Sequence, residues 1–160
     1  MLRISKLTDY GTVILAALAA QPSAARMTAS DVAERTKINL PTVSKLLKNL
    51  QRGGLVSSSR GSSGGYQLAH PPKQISAAAI LDALEGKLAL TECSGSHSHC
   101  GIESTCSVGH AWQHVNLAIR RSLEEISLAQ LAGFERVAMR TPDLRIKEVP
   151  LVRMPRPGQE

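Results

Sequence analysis

Apolar residues recur at helical spacing in five stretches of the chain, and two short runs between the third and fourth stretches read as strands. Val13, Ala16, Ala17 and Ala20 predict a first helix over residues 8–20, capped by Thr8. Thr28 opens a second helix, because Thr28-x-x-Asp31 has the form of a capping box with Asp in place of Glu. Residues 37–40 read as a turn. Pro41 suits the first turn of a third helix, in which Val43, Leu46, Leu47 and Leu50 share one face. Thr42, Ser44, Lys45, Lys48, Asn49 and Arg52 occupy the other face, and Gly53-Gly54 supplies a left-handed stop. Residues 55–58 and 66–68 predict two strands, joined by a flexible tip built from Arg60, Gly61, two serines and two glycines.

Beyond Pro71-Pro72, residues 76–88 predict a short amphipathic helix. Residues 91–110 show little periodicity and hold all three cysteines. Residues 112–132 predict the longest helix, with Trp112, Val115, Ile119, Leu123 and Ile126 in a narrow stripe of coiled-coil type. Such a stripe suits pairing with a second copy, and equally packing within its own chain. Four prolines among charges after residue 140 predict a mobile tail. The predicted fold is mainly α with a small β-hairpin wing: a winged helix-turn-helix followed by a long helix for dimerisation.

Composition refines this picture. Hydrophobic residues make up 42% of the 160 positions but aromatics only 2%, so the core is expected to be aliphatic. Residues 1–70 carry nine Lys/Arg against three Asp/Glu, so the formal net charge of +6 falls entirely in the N-terminal part. A polyanionic partner is the physical use for it, since each neutralised phosphate releases counterions. The third helix has the chemistry for a major groove. Thr42, Ser44 and Lys45 lie where such helices approach base edges, and Lys48 and Arg52 lie where phosphates are reached. In the wing, Ser59 and Gly61 flank Arg60, so the backbone can come close to DNA and the guanidinium can enter a narrow minor groove. Double-stranded operator DNA is the expected partner. No paired-acid site, nucleophile motif or nucleotide loop is present, so neither an enzyme nor a small-molecule substrate is expected.

The cysteines follow the spacing Cys93-x6-Cys100-x5-Cys106. An odd number of clustered thiols argues for a reduced compartment, and so for the cytoplasm. Their soft thiolates suit an iron–sulfur cluster, zinc or copper(I), although a tight zinc knuckle is missing. A redox switch that pairs two thiols is a further option. The apolar run at 13–20 is too short for a secretory leader, and nothing reaches membrane-spanning length. The alternative to a DNA-binding regulator is a zinc- or cluster-binding carrier module whose winged helix contacts protein.

The residues also carry a family resemblance. The wing, Gly54-Leu55-Val56-Ser57-Ser58-Ser59-Arg60-Gly61-Ser62-Ser63-Gly64-Gly65-Tyr66-Gln67-Leu68, resembles that of the winged-helix iron–sulfur-cluster regulators, which include the Isc regulator and the nitric-oxide-sensing Nsr repressor. The opening Met1-Leu2-Arg3-Ile4-Ser5-Lys6-Leu7-Thr8-Asp9-Tyr10-Gly11 is similar to the branch that regulates Suf-type cluster assembly. The resemblance covers residues 1–132. It implies a homodimeric repressor, with Arg60 and the third helix on the operator and a [2Fe–2S] or [4Fe–4S] cluster on Cys93, Cys100 and Cys106. In the Isc type a histidine three residues after the last cysteine completes the ligand set. That place here is Gly109, with His110 displaced by one, and the first cysteine gap is one residue longer. Asp9 matches the carboxylate that the nitric-oxide-sensing type takes from the partner subunit. The candidates for the fourth ligand are therefore Asp9, ahead, and His110. The implied division is a DNA-binding domain at 1–72, a connecting helix and cysteine loop at 73–110, a dimerisation helix at 111–133 and a tail at 134–160. The implied function is sensing of iron–sulfur status, or of oxidative or nitrosative stress, to control cluster-assembly genes.

Overall fold

The computed structural model describes residues 4–22, 25–61, 63–91, 106 and 108–136. Helix α1 spans Lys6–Ala19, α2 Ala29–Thr36 and α3 Leu40–Arg52. Strands β1 (Val56–Ser59) and β2 (Gly65–Leu68) follow, and then a 3-10 turn over Pro72–Gln74 leads to α4 (Ala77–Glu85). Helix α5 (Gly109–Glu124) and the single turn α6 (Leu128–Leu131) complete the described chain. The architecture is mainly helical with one small hairpin, as the periodicity predicts. No described helix is long and apolar enough to cross a membrane.

Local signals place most boundaries. The Thr28 hydroxyl accepts the Asp31 N–H at 3.2 Å while the Asp31 carboxylate accepts the Thr28 N–H at 2.8 Å, so the expected capping box forms. Lys37 ends α2 in the left-handed region with φ 58°. Asn39 caps α3 by accepting the Thr42 N–H at 2.9 Å, with Pro41 in the first turn. Gly54, at φ +75°, turns the chain from α3 into β1. The strands pair antiparallel from Val56 opposite Leu68 to Ser59 opposite Gly65. Met27 adds a bridge to Tyr66 on the other edge of β2. Gly65 permits that bridge, because a Cβ there would stand 2.8 Å from the Met27 carbonyl oxygen.

The core is aliphatic, as the composition requires. Ile14 and Leu15 of α1, Val32 of α2, Val43, Leu46, Leu47 and Leu50 of α3, and Ile80 of α4 are fully buried in one cluster. Each such side chain contributes roughly 1.5–3 kcal/mol by leaving water.

Several expected boundaries differ, and the helix expected over 76–88 ends at Glu85. Helix α1 starts at Lys6, two residues before residue 8, because Ser5 rather than Thr8 is its cap: the Ser5 hydroxyl accepts the Thr8 N–H at 3.3 Å. The strands begin one residue away from their expected starts, at Val56 and Gly65. The long helix expected over 112–132 is two helices. Its stripe continues to Ile126, but α5 stops at Glu124 and Ser127 opens a second capping box with Gln130. Tertiary bonds fix the break: Ala77 N–H donates to the Ile126 carbonyl at 2.8 Å and Leu128 N–H donates to the Ile75 carbonyl at 2.7 Å. Leu128 is thereby buried in the same core cluster as α1, α2, α3 and α4. Residues 134–135, expected in the tail, are held too, by bonds to the Ala129 carbonyl and by a Glu135–Lys73 ion pair.

Candidate nucleic-acid interface

Helix α3 separates its two faces completely. Val43, Leu46, Leu47 and Leu50 face the core, and Lys45, Lys48 and Arg52 are exposed. Thr42 and Ser44 are half-buried at the N-terminal end of the same helix. The hairpin follows α3 directly, joined by the Leu55 N–H donating to the Leu50 carbonyl at 2.9 Å. Arg60 and Gly61 are exposed at its tip, where Gly61 has φ +105°. Ser59, just before them, is half-buried, and its hydroxyl finds no hydrogen-bond partner among the described residues.

The electrostatics of this side differ from the rest of the head. Among the described residues the ion pairs are Lys73–Glu135, Arg120–Asp82 and Arg120–Glu124, and none of them involves a residue of α3 or the wing. Lys45, Lys48 and Arg60 are therefore without an ion-pair partner among the described residues. Arg52 donates only to the neutral Asn49 amide oxygen, at 3.4 Å. Of the two acids of α2, Asp31 and Glu34, Asp31 is turned to its own helix. The Thr28 backbone N–H, and then its hydroxyl, hold that carboxyl below the usual carboxylate range.

The candidate ligands are scattered along the chain. Cys93 and Cys100 lie outside the described residues. Cys106 is a half-buried free thiol just ahead of α5. A Cβ on Gly109, in the first turn of α5, would stand 3.8 Å from the Cys106 sulfur, so the helix start is close to the thiol. A sulfur so placed suits a soft-metal or iron–sulfur ligand. Asp9 is exposed in the first turn of α1 and His110 is exposed on α5. Among the described residues, no three His, Cys, Asp or Glu side chains gather into a metal site.

Several residues with structural work to do escape a sequence reading. Glu85 ends α4 and accepts from the Ser5 N–H at 3.1 Å and from the Thr8 hydroxyl. The Thr8 and then the Ser5 bonds hold its carboxyl below the usual range. Arg120 grips both carboxylate oxygens of Asp82, at 3.2 and 2.8 Å, and so joins α5 to α4. That pairing raises its already high pKa. Asn116 binds the main chain at Leu88 and Leu90. No sequence window contains both members of these pairs. Only Ser5 and Asn39, as cap-type residues, leave a local trace.

The comparisons with known proteins agree with this arrangement. Residues 4–133 match the family Rrf2, described as an iron-dependent transcriptional regulator. Protein rrf2 of Nitratidesulfovibrio vulgaris is 30% identical over 130 residues, which is 81% of this chain and 87% of the relative. The structure of CymR, the global cysteine regulator of B. subtilis, superposes with a TM-score of 0.64 at 27% identity, over 84% of this chain and 99% of that one. The IscR of T. potens does so with a TM-score of 0.62 at 29% identity, over 86% and 92%. Members of this family are DNA-binding transcription regulators and not enzymes. The chain belongs to the Rrf2 family of winged-helix transcriptional regulators.

Proposed function

We propose that this chain is a cytoplasmic, homodimeric repressor whose grip on its operator is set by an iron–sulfur cluster on Cys93, Cys100 and Cys106. The observation that carries the DNA side is the row of exposed cations on α3 and the wing, none of which forms an ion pair among the described residues. Thr42, Ser44 and Lys45 read base edges, Lys48 and Arg52 take phosphates, and Arg60 enters the minor groove with Ser59 and Gly61 bringing the backbone close. Two copies joined along the exposed Trp112 and Val115 of α5 would place two α3 helices in successive major grooves.

The cluster assignment rests on the clustered thiols, the free Cys106 at the start of α5, the iron-dependent description of the family and the likeness to an IscR. When bound, a cluster of either nuclearity supplies a centre that reacts with oxidants and nitric oxide and is lost when iron is short. Asp9 or His110 completes its ligands. Asp9 stands ahead because a partner's carboxylate would tie cluster loss to the angle between the two heads. Cluster-assembly genes are the proposed targets. A second reading follows from the likeness to a cysteine regulator: the same thiols act without a cluster, as a redox pair.

Two measurements test the proposal. A Lys45→Ala/Arg60→Ala variant should lose at least about tenfold in affinity for a duplex selected from a random pool by the wild-type protein, since one good base contact is worth about 1–3 kcal/mol. Unchanged affinity rejects the role of these two residues. Anaerobic purification with iron, sulfide and visible-absorption analysis tests the cluster. A colourless protein with stoichiometric zinc rejects it, and a metal-free one favours the thiol pair. Asp9→Ala and His110→Ala, scored for retained iron, assign the fourth ligand.

A further inference from the structure

The segment that carries the cysteines leaves α4 and returns into α5, and polar groups fasten its departure. Glu85, the last residue of α4, closes that end onto the first turn of α1 through a single carboxylate oxygen. This oxygen accepts the Ser5 N–H at 3.1 Å and the Thr8 hydroxyl, from residues about 80 positions away in the chain. Just beyond it, Asn116 of α5 holds the outgoing main chain. Its amide N–H donates to the Leu88 carbonyl and its amide oxygen accepts the Leu90 N–H, both at 3.3 Å. Residues 85–90 are therefore tied to the DNA-binding head at one end and to α5 at the other.

Behind this tie, α4 rests on bare backbone at two points. A Cβ on Gly11 of α1 would stand 2.4 Å from Leu84 Cδ1, and a Cβ on Gly53 would stand 2.4 Å from Ala83 Cβ. Gly53 caps the C-terminal end of α3. Helix α4 thus touches both the helix that bears Asp9 and the end of the helix that faces DNA, with no slack at either contact. Close-packed elements of this kind move as units rather than deform gradually.

We propose that Glu85 is a positioning residue that couples the cysteine segment to the DNA-binding head. With the bond to Thr8 and Ser5 in place, a rearrangement of the segment pulls on α1 and shifts α4 against α3. Without it, residues 86–91 can move while the head keeps its geometry. The acceptor is an ionised carboxylate, whose hydrogen bonds are roughly twice as strong as neutral ones. The proposal rests on the cysteine segment being regulatory, but not on which group its thiols hold.

The test uses full-length, metal-free protein, before and after alkylation of its thiols with N-ethylmaleimide, and a duplex selected by the wild-type protein. Alkylation should change the operator Kd of the wild type by about tenfold, within the usual range of coupling between sites. In Glu85→Ala the change should shrink to less than about twofold. Glu85→Gln, which keeps an acceptor oxygen, should retain most of it. Thr8→Val removes the donor from the opposite side and should act as Glu85→Ala does, which covers a folding defect in either single variant. Hydrogen exchange at residues 5–12 should respond to alkylation in the wild type and not in Glu85→Ala. Equal Kd changes in all four proteins, or no change in the wild type, overturn the proposal. Because the probe is cluster-free, an iron analysis that rejects the cluster leaves this result standing, and the reverse also holds.

Discussion

Helices α3 and α5 are both amphipathic and similar in length, 13 and 16 residues. Yet α3 buries four aliphatic side chains, whereas within α5 only Gly109 is buried. Trp112 and Val115, the first two members of the α5 stripe, are 46% and 43% exposed. In the head, α1, α2, α4 and the wing close over the apolar face of α3. Helix α5 has α4 on one side, gripped through Arg120 and Asp82, and among the described residues its stripe is exposed at Trp112 and Val115 and half-buried at Ile119 and Leu123. The same kind of pattern thus produces a closed core in one place and a partly exposed stripe in the other, the surface that would meet a second copy in the proposed homodimer. The charge divides similarly: among the described residues the cations of α3 form no ion pair, whereas Arg120 of α5 pairs with Asp82 and Glu124.

The contrast can be broken by substitution. The largest effect is expected for Leu47→Ala, a cavity in a fully buried site, which should cost about 2–5 kcal/mol in denaturant unfolding. Leu117→Ala, the same exchange on exposed α5, should stay within about 0.5 kcal/mol. Similar losses at the two sites would show that α5 is as closed as α3. Next comes Gly53→Ala, which forces a methyl against the Ala83 Cβ and its backbone. It should cost about 1–3 kcal/mol and lower the melting temperature. Asn39→Ala removes the cap of α3 and should cost about 0.5–2 kcal/mol, read by the same unfolding curves. Val115→Glu should leave head stability within about 0.5 kcal/mol. Its effect should appear in sedimentation, as a shift from dimer to monomer, and an unshifted mass would remove α5 from the interface.

The smallest effect is a matter of pH. The folded Glu85 carboxyl lies below its ordinary value, so its contribution is fully present above that value and is lost as pH falls through the lowered one. Melting temperatures recorded from roughly pH 6 down to pH 3 should fall less steeply for Glu85→Gln than for the wild type.

Much of the DNA-reading side was legible in the chain. Thr28 and Asp31, Pro41, and Gly53-Gly54 act on neighbours within four residues, so their helix ends followed from local rules. The face of α3 followed from its period of 3.6 residues. The start of α1 did not, because Ser5 and Thr8 are both cap-type residues and Glu85 decides what Thr8 does. The end of α5 did not either, because the apolar stripe continues past it and the stop depends on Ile75 and Ala77. The proposed metal side was legible only as composition, three thiols in a short segment, since metal ligands meet through the fold and not through spacing alone.

The sequence by itself determined the winged helix, its aliphatic core, the basic face of α3 and the arginine at the wing tip. All of these rest on short-range periodicity, caps and charge placement. Tertiary structure decided that Leu128 belongs to the same core cluster as α1, α2, α3 and α4, that α4 seats on Gly11 and Gly53, and that Glu85 closes onto Ser5 and Thr8. These contacts join residues from about 30 to more than 100 positions apart, and their free energy exists only once the chain has folded to bring them together.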